Sequence, residues 1–378
     1  MKEVFITRIS SFLPHNPISN DEMEKKLGYI NDTPSKSRAI VLRNNGIKSR
    51  YYAIDEKGNF THNNIQLTHE AIKKLVTEEE LQTVDLLACG TSSPDQMMPS
   101  HAVMVHGEMK GSPSFEVVSP AGVCCSGMHA LKYAFQSIKL DDAQKAICTG
   151  SEYYSRRMQS SNFVEEVEKL EELQKNPYIS FEKDFLRWML SDGASAILLE
   201  NKPAESGLSF RVEWVEMCSY ASEFDTCMYM GADKNSDGSL KSYLEYSNKE
   251  LIEESVFSLK QDVKLLKANI VTKGFEKLVT VFKKYNLTSE EIDWFLPHMS
   301  SEFFRKPIAE AMDEIGLHIP AEKWFTNLST VGNVGSASAF LMLEELAHSG
   351  KLKKGQKILL GVPESARFSY AFGLLTVC

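Results

Sequence analysis

The sequence predicts a duplicated α/β protein, and three pairs of matched segments predict it. Residues 83–93 read Thr-Val-Asp-Leu-Leu-Ala-Cys-Gly-Thr-Ser-Ser, and residues 291–301 read Glu-Ile-Asp-Trp-Phe-Leu-Pro-His-Met-Ser-Ser. Each runs from a polar lead-in through an Asp and an apolar strand to a Ser-Ser pair, with Asp85 and Asp293 offset by 208 (293 less 85). Next come an apolar strand and a small-residue helix start in each copy. These are Phe115–Ser119 with Gly122-Val123-Cys124-Cys125-Ser126-Gly127, and Trp324–Leu328 with Val331-Gly332-Asn333-Val334-Gly335-Ser336. At the same offset Cys125 falls on Asn333. A third strand follows each helix, Lys145–Gly150 and Lys357–Val362, with a small drift in register. Strands alternating with helices require crossover connections and largely buried sheets.

The other elements fit this plan. Ala194–Leu199 is a buried-strand run after the turn Ser191-Asp192-Gly193, and the chain ends in two strands, the last from Phe368 to Val377. Leu251, Val256, Leu259, Val263, Leu266 and Ile270 recur at helical spacing through 250–285. The charges of Glu165–Leu173 predict a solvated helix inside an insertion spanning about 155–190. Residues 1–205 are thus expected to form the first half and 206–378 the second. A chain of 378 residues suits two or three units of this size. The net charge of −9 argues against nucleic acid, though it leaves room for a small basic patch facing an acidic carrier. No run approaches the roughly 18 apolar residues of a membrane span, and Met1–Phe5 does not begin a signal core. Seven cysteines without C-x-x-C spacing indicate neither a disulfide framework nor a zinc cage. A soluble, reduced, cytoplasmic protein is expected.

Three residues at strand ends or helix starts could carry chemistry. Cys125 opens a helix whose apolar face is Met128, Leu131, Phe135 and Ile138, and a helix N-terminus favours a thiolate. His298 ends the apolar strand Trp294-Phe295-Leu296-Pro297, and Asn333 lies between Gly332 and Gly335. Each alone also reads as structural: a buried Cys, a satisfied His, a capping Asn. Together, brought to one place by pseudo-twofold packing, they are the residue types of thiol catalysis. Papain-like proteases use the same types, but their signatures are absent. The remaining histidines show no metal spacing.

At these residues the sequence resembles the thiolase superfamily, in particular ketoacyl-ACP synthase III-like condensing enzymes. Gly46-Ile47-Lys48-Ser49-Arg50 is similar to that family's Gly-Ile-x-x-Arg, and Cys125-Ser126-Gly127-Met128 to its nucleophile motif. Asp192-Gly193-Ala194, Pro297-His298 and Gly332-Asn333 resemble its other motifs, in the family's order. The resemblance implies a five-layered αβαβα fold of two pseudo-repeated halves, a homodimer, and a Cys125-His298-Asn333 triad. It also implies acyl thioester substrates and acyl carrier protein as partner, with no cofactor beyond phosphopantetheine or CoA thioesters. Cys125 would carry an acyl group. His298 and Asn333 would hold the thioester carbonyl of a malonyl or β-ketoacyl carrier protein. The Cys125 N–H and a backbone N–H near Ala366–Arg367 would bind the oxyanion.

Several positions depart from housekeeping synthase III enzymes. Ser301 stands where an Asn is expected, and Ser365-Ala366-Arg367 replaces a Gly triplet. Ile40 and Asn44 replace the Trp and Arg that sandwich the CoA adenine. Glu152 and Arg367, expected at equivalent ends of the two halves, would form an ion pair near the thiol. These changes resemble the branch making cyclohexanediones for dialkylresorcinols or stilbenes, where condensation is followed by ring closure, and Glu152 and Arg367 are expected to orient the β-ketoacyl intermediate or manage proton transfer in that closure. An acyltransferase delivering the acyl group to oxygen or nitrogen is the rival reading, and a non-catalytic partner subunit a lesser one. Whether Cys124 or Cys89 lines the site is open.

Overall fold

Nine strands join in one mixed sheet in the computed structural model, which describes residues 2–35, 38–163 and 186–378. In chain order they are β1 (Phe5–Phe12), β2 (Leu86–Thr91), β3 (Glu116–Val118), β4 (Lys145–Glu152), β5 (Gly193–Glu200), β6 (Phe210–Ser219), β7 (Trp294–Pro297), β8 (Lys357–Glu364) and β9 (Ser369–Val377). Their order across the sheet is β7-β8-β9-β6-β1-β5-β4-β2-β3. The seam is the short antiparallel pairing of β1 with β6, where Phe5 faces Arg211 and Ile6 faces Phe210.

The order is the same read outward from the seam in either direction. On one side β1, β5 and β4 pair antiparallel, then β2 and β3 add in parallel. On the other β6, β9 and β8 pair antiparallel, β7 adds in parallel, and a single parallel bridge from Phe295 to Trp324 stands where β3 stands in the first half. This is the expected duplication. β2 is buried throughout and β4 from Ala146 on, as a sheet covered on both faces requires, whereas β3 at the edge is not.

Four helices set the layers: α1 (Asn64–Leu75), α2 (Ser126–Lys139), α3 (Val263–Lys284) and α4 (Ser338–His348). The central pair, α2 and α4, packs against strands of both halves. Its core joins Met128, Leu131 and Phe135 of α2 with Phe340 and Leu343 of α4. Outside the first half, α1 seats Leu67, Ala71 and Ile72 on the sheet, its start fixed by a capping box between Asn63 and Gln66. Outside the second, α3 buries Leu266, Ile270, Leu278 and Val281, and the Asp262 carboxylate caps it at Leu265 N–H. The result is five layers, α1, half-sheet, α2 with α4, half-sheet, α3. The solvated helix expected over 165–173 lies outside the described residues.

One correction concerns register. Because α2 begins at Ser126 and α4 at Ser338, and β4 at Lys145 and β8 at Lys357, the offset is already 212 at the helix starts (338 less 126). Cys125 is therefore equivalent to Ala337 rather than to Asn333. The two helix starts touch through glycine. A Cβ on Gly127 would lie 2.2 Å from the Ser336 carbonyl oxygen, and one on Gly150 2.4 Å from the same atom. Only residues without side chains allow this approach.

Candidate active site

The strand ends beside α2 meet an apolar cavity. Its walls are apolar side chains of α3, among them Leu266, Ile270 and Phe275, together with Phe304 and Ile308. At its base stand Pro297, His298, Cys124 and Ser365. Concave apolar space ending on a few polar groups is the usual form of a ligand site.

His298 follows β7 and is tied to β8 by its N–H, which donates to Gly361 O at 2.7 Å. Its side chain is buried, and burial lowers its pKa to about 4, so at neutral pH the ring is uncharged. The next residue along β8 holds the thiol: Cys125 Sγ donates to Val362 O at 3.3 Å. β8 thus anchors both residues through successive carbonyls, Gly361 for His298 and Val362 for Cys125. The cavity wall itself is made by Cys124, and Cys125 lies behind it, fully buried.

The expected thiolate at the helix N-terminus is not the resting form. Burial pushes the Cys125 thiol well above its ordinary pKa, and the Glu364 carboxylate pushes in the same direction. Cys124 is raised by burial, then by Glu364 and Glu152. The dipole of α2 is already answered, because Glu364 Oε2 accepts the N–H groups of both Val123 and Cys125 at 2.9 Å. The Cys125 N–H expected to bind an oxyanion is therefore occupied by Glu364.

Asn333 stands in the turn before α4. Its N–H donates to Met189 O, and its own carbonyl accepts from Ser191 N–H. Its amide oxygen accepts from Gly335 N–H at 2.9 Å, and its amide NH2 has no hydrogen-bond partner among the described residues. It is buried but does not line the cavity. The Asp-Gly-Ala turn beside it is scaffold. Asp192 accepts from Tyr154 and Ser155 N–H on one oxygen and from Ala53 N–H on the other.

Glu152 and Arg367 do not pair. Glu152 is fully buried, and its carboxylate accepts from the hydroxyls of Ser92 and Ser93 and from Ser336 N–H. Burial raises its pKa against the lowering effect of those donors. Arg367 is exposed and its Nε donates to Phe224 O. The physical reason is register: Glu152 ends β4, and the equivalent end of β8 is Glu364, three residues before Arg367. Ala366 is held by its carbonyl, which accepts from Cys227 and Met228 N–H. Sequence reasoning missed Glu364, although the offset of 212 from Glu152 points to it. Ser301 donates to Asn44 O and caps Phe303, a structural use. Among the described residues no His, Cys, Asp and Glu side chains cluster to hold a metal, and no helix is long and apolar enough to cross a membrane.

Residues 282–362 match the family model for the C-terminal part of 3-oxoacyl-[acyl-carrier-protein (ACP)] synthase III. The chain is 26% identical to the β-ketoacyl-[acyl-carrier-protein] synthase III of Clostridium perfringens strain SM101, over 95% of each. In fold it is similar to the tetronic acid condensing enzyme AbyA1, with a TM-score of 0.76, 18% identity and 99% of both chains covered. It is similar also to FabH of Pseudomonas aeruginosa, with a TM-score of 0.72 and 18% identity, covering 99% of this chain and 98% of that one. The two-halved fold, the ordered motifs and these relatives agree: the chain has the thiolase fold and is similar over nearly its whole length to ketoacyl-ACP synthase III condensing enzymes.

Proposed function

We propose that this enzyme forms a carbon–carbon bond by Claisen condensation, with Cys125 as acyl acceptor. The observation that carries the reading is the apolar cavity lined by the uncharged His298 and by Cys124, with the Cys125 thiol buried directly behind Cys124 and tied to β8. An acyl thioester exchanges with Cys125: the S–C bond to the acyl carbon forms, the incoming thioester bond breaks, and the thiol proton leaves with the displaced thiol. A malonyl or β-ketoacyl thioester on acyl carrier protein then enters. His298 and the free amide NH2 of Asn333 donate to its carbonyl and stabilise the enolate; preorganised donors of this kind are each worth about 3 kcal/mol. In the malonyl case loss of carbon dioxide generates the carbanion, which attacks the acyl carbon and releases Cys125, the sulfur regaining a proton. The β-ketoacyl product stays on the carrier.

Exposure of Ile40 and Asn44, where an adenine clamp would stand, favours a carrier-protein primer over CoA. A homodimer is supported by the edge strand β3, one side of which carries no partner strand among the described residues, and by Met97 and Met98, 67% and 84% exposed. Ring closure by a Glu152–Arg367 pair has no support in their positions. The test is mass spectrometry after incubation with acyl carrier proteins, followed by assay of carbon dioxide from malonyl carrier protein. An adduct on Cys125 with carbon dioxide release is expected. An adduct without it would favour transfer to an oxygen or nitrogen acceptor, and no adduct would overturn the reading.

A further inference from the structure

The two glutamates that end β4 and β8 are related by the duplication, and each crosses to the other half. Glu152 accepts from Ser336 N–H before α4 at 3.1 Å, and Glu364 accepts from Val123 and Cys125 N–H before α2. Their surroundings differ. Glu152 is fixed by two serine hydroxyls as well, Ser92 and Ser93, and is fully buried. Glu364 has only the two N–H partners among the described residues and is 7% exposed, and its neighbours Pro363 and Ser365 line the cavity. One carboxylate is locked; the other is lightly held at the cavity wall.

We propose that Glu364 is an internal occupant of the donor position that an acyl oxygen needs at Cys125, and that the incoming acyl thioester must displace it. Glu364 is then a positioning residue that gates acylation. The inference rests on Cys125 being the acyl acceptor. A carboxylate accepts N–H groups more strongly than a neutral thioester oxygen does, so the resting site is closed. The same charge adds to burial, the larger cause, in keeping the thiol protonated, and Cys124 and Cys218 act on Cys125 in that direction too. Displacement removes both obstacles at once: it frees the Cys125 N–H and takes a negative charge away from the sulfur. Acylation is thereby tied to occupancy of the cavity, and other electrophiles meet a closed, protonated thiol.

The experiment compares wild type with Glu364→Gln, and with Glu364→Met as a second neutral side chain of similar size. Hexanoyl- and decanoyl-N-acetylcysteamine serve as acyl donors, with single-turnover acylation followed by intact mass. Both variants should acylate roughly tenfold faster, the difference between a charged and a neutral acceptor on those donors. Their iodoacetamide alkylation profiles should also shift to lower pH, which loss of a mere helix cap would not produce. Unchanged or slower acylation in the variants, with an unshifted alkylation profile, would overturn the gate and leave the condensing role intact. A wild-type enzyme that forms no adduct would overturn both.

Discussion

Replacing His298 by Gln should change how the stability of the fold depends on pH, by an amount set by the burial of the ring. In the folded chain the imidazole takes a proton only near pH 4, whereas in the unfolded chain it does so near 6.5. That difference corresponds to about 3 kcal/mol. The sign follows from which state binds the proton first. On acidification the unfolded chain does, so the contribution is complete above the unfolded pKa and is lost as pH falls from 6.5 through 4. His101, also buried and also lowered to about 4, acts in the same direction. Asp192, raised from 3.8 to about 6 by burial, acts in the opposite one, its stability present at low pH and lost as pH rises through 6. The wild-type profile therefore mixes opposing groups, and the informative quantity is the difference between wild type and H298Q. Urea unfolding across the range should show that difference changing by about 3 kcal/mol between neutral pH and pH 4. Parallel profiles would refute the claim that the ring is buried and neutral, and with it the assignment of His298 as an uncharged donor during decarboxylation.

Three further outcomes follow from the site and the seam. Cys125→Ala should abolish the acyl adduct while Cys124→Ala retains it, measured by intact mass; the reverse pattern would make the cavity-wall thiol the acceptor. Gly127→Ala should destabilise the protein by about 3 kcal/mol or more in urea unfolding, because its Cβ would meet the Ser336 carbonyl oxygen at 2.2 Å, and neither backbone can yield alone. Arg367→Ala should leave adduct formation within about twofold, as expected for an exposed side chain anchored to one carbonyl; a much larger loss in single-turnover acylation would return Arg367 to the site.

Much of this arrangement is legible before any coordinates, and the parts that are not share one cause. Apolar runs such as Leu86–Thr91 and Ala194–Leu199 identify strands because a sheet covered on both faces leaves no polar position to break the pattern. The helix that Cys125 opens, and the place of His298 at a strand end, follow in the same way. Pairings that depend on a few residues of register do not. An offset fixed on Asp85 and Asp293 is right for the first strands, yet the loops before the central helices differ in length by four residues, and no periodicity reports a loop. Carrying 208 past that point matched Cys125 with Asn333, and placing Arg367 opposite Glu152 assumed an offset of 215 (367 less 152). The offset of 212 gives the physical answer: the symmetry mate of a buried carboxylate is another buried carboxylate.

That substitution of partners changes what holds the two halves together. An ion pair between Glu152 and Arg367 would have been a contact at the rim. The crossed carboxylates are instead contacts at the axis, each neutralising the unpaired N–H groups that the other half's central helix start presents. At Ser336 the glycines Gly127 and Gly150 bring the backbones within van der Waals distance, and the Ser336 and Cys125 N–H groups are buried. A helix start buried without an acceptor would cost roughly 1–3 kcal/mol for each orphaned N–H. Catalysis at Cys125 needs the same donor to be free at the moment the acyl oxygen arrives. The fold and the chemistry therefore compete for one N–H group, and the helix start whose acceptor is locked, at Ser336, belongs to the half without the nucleophile.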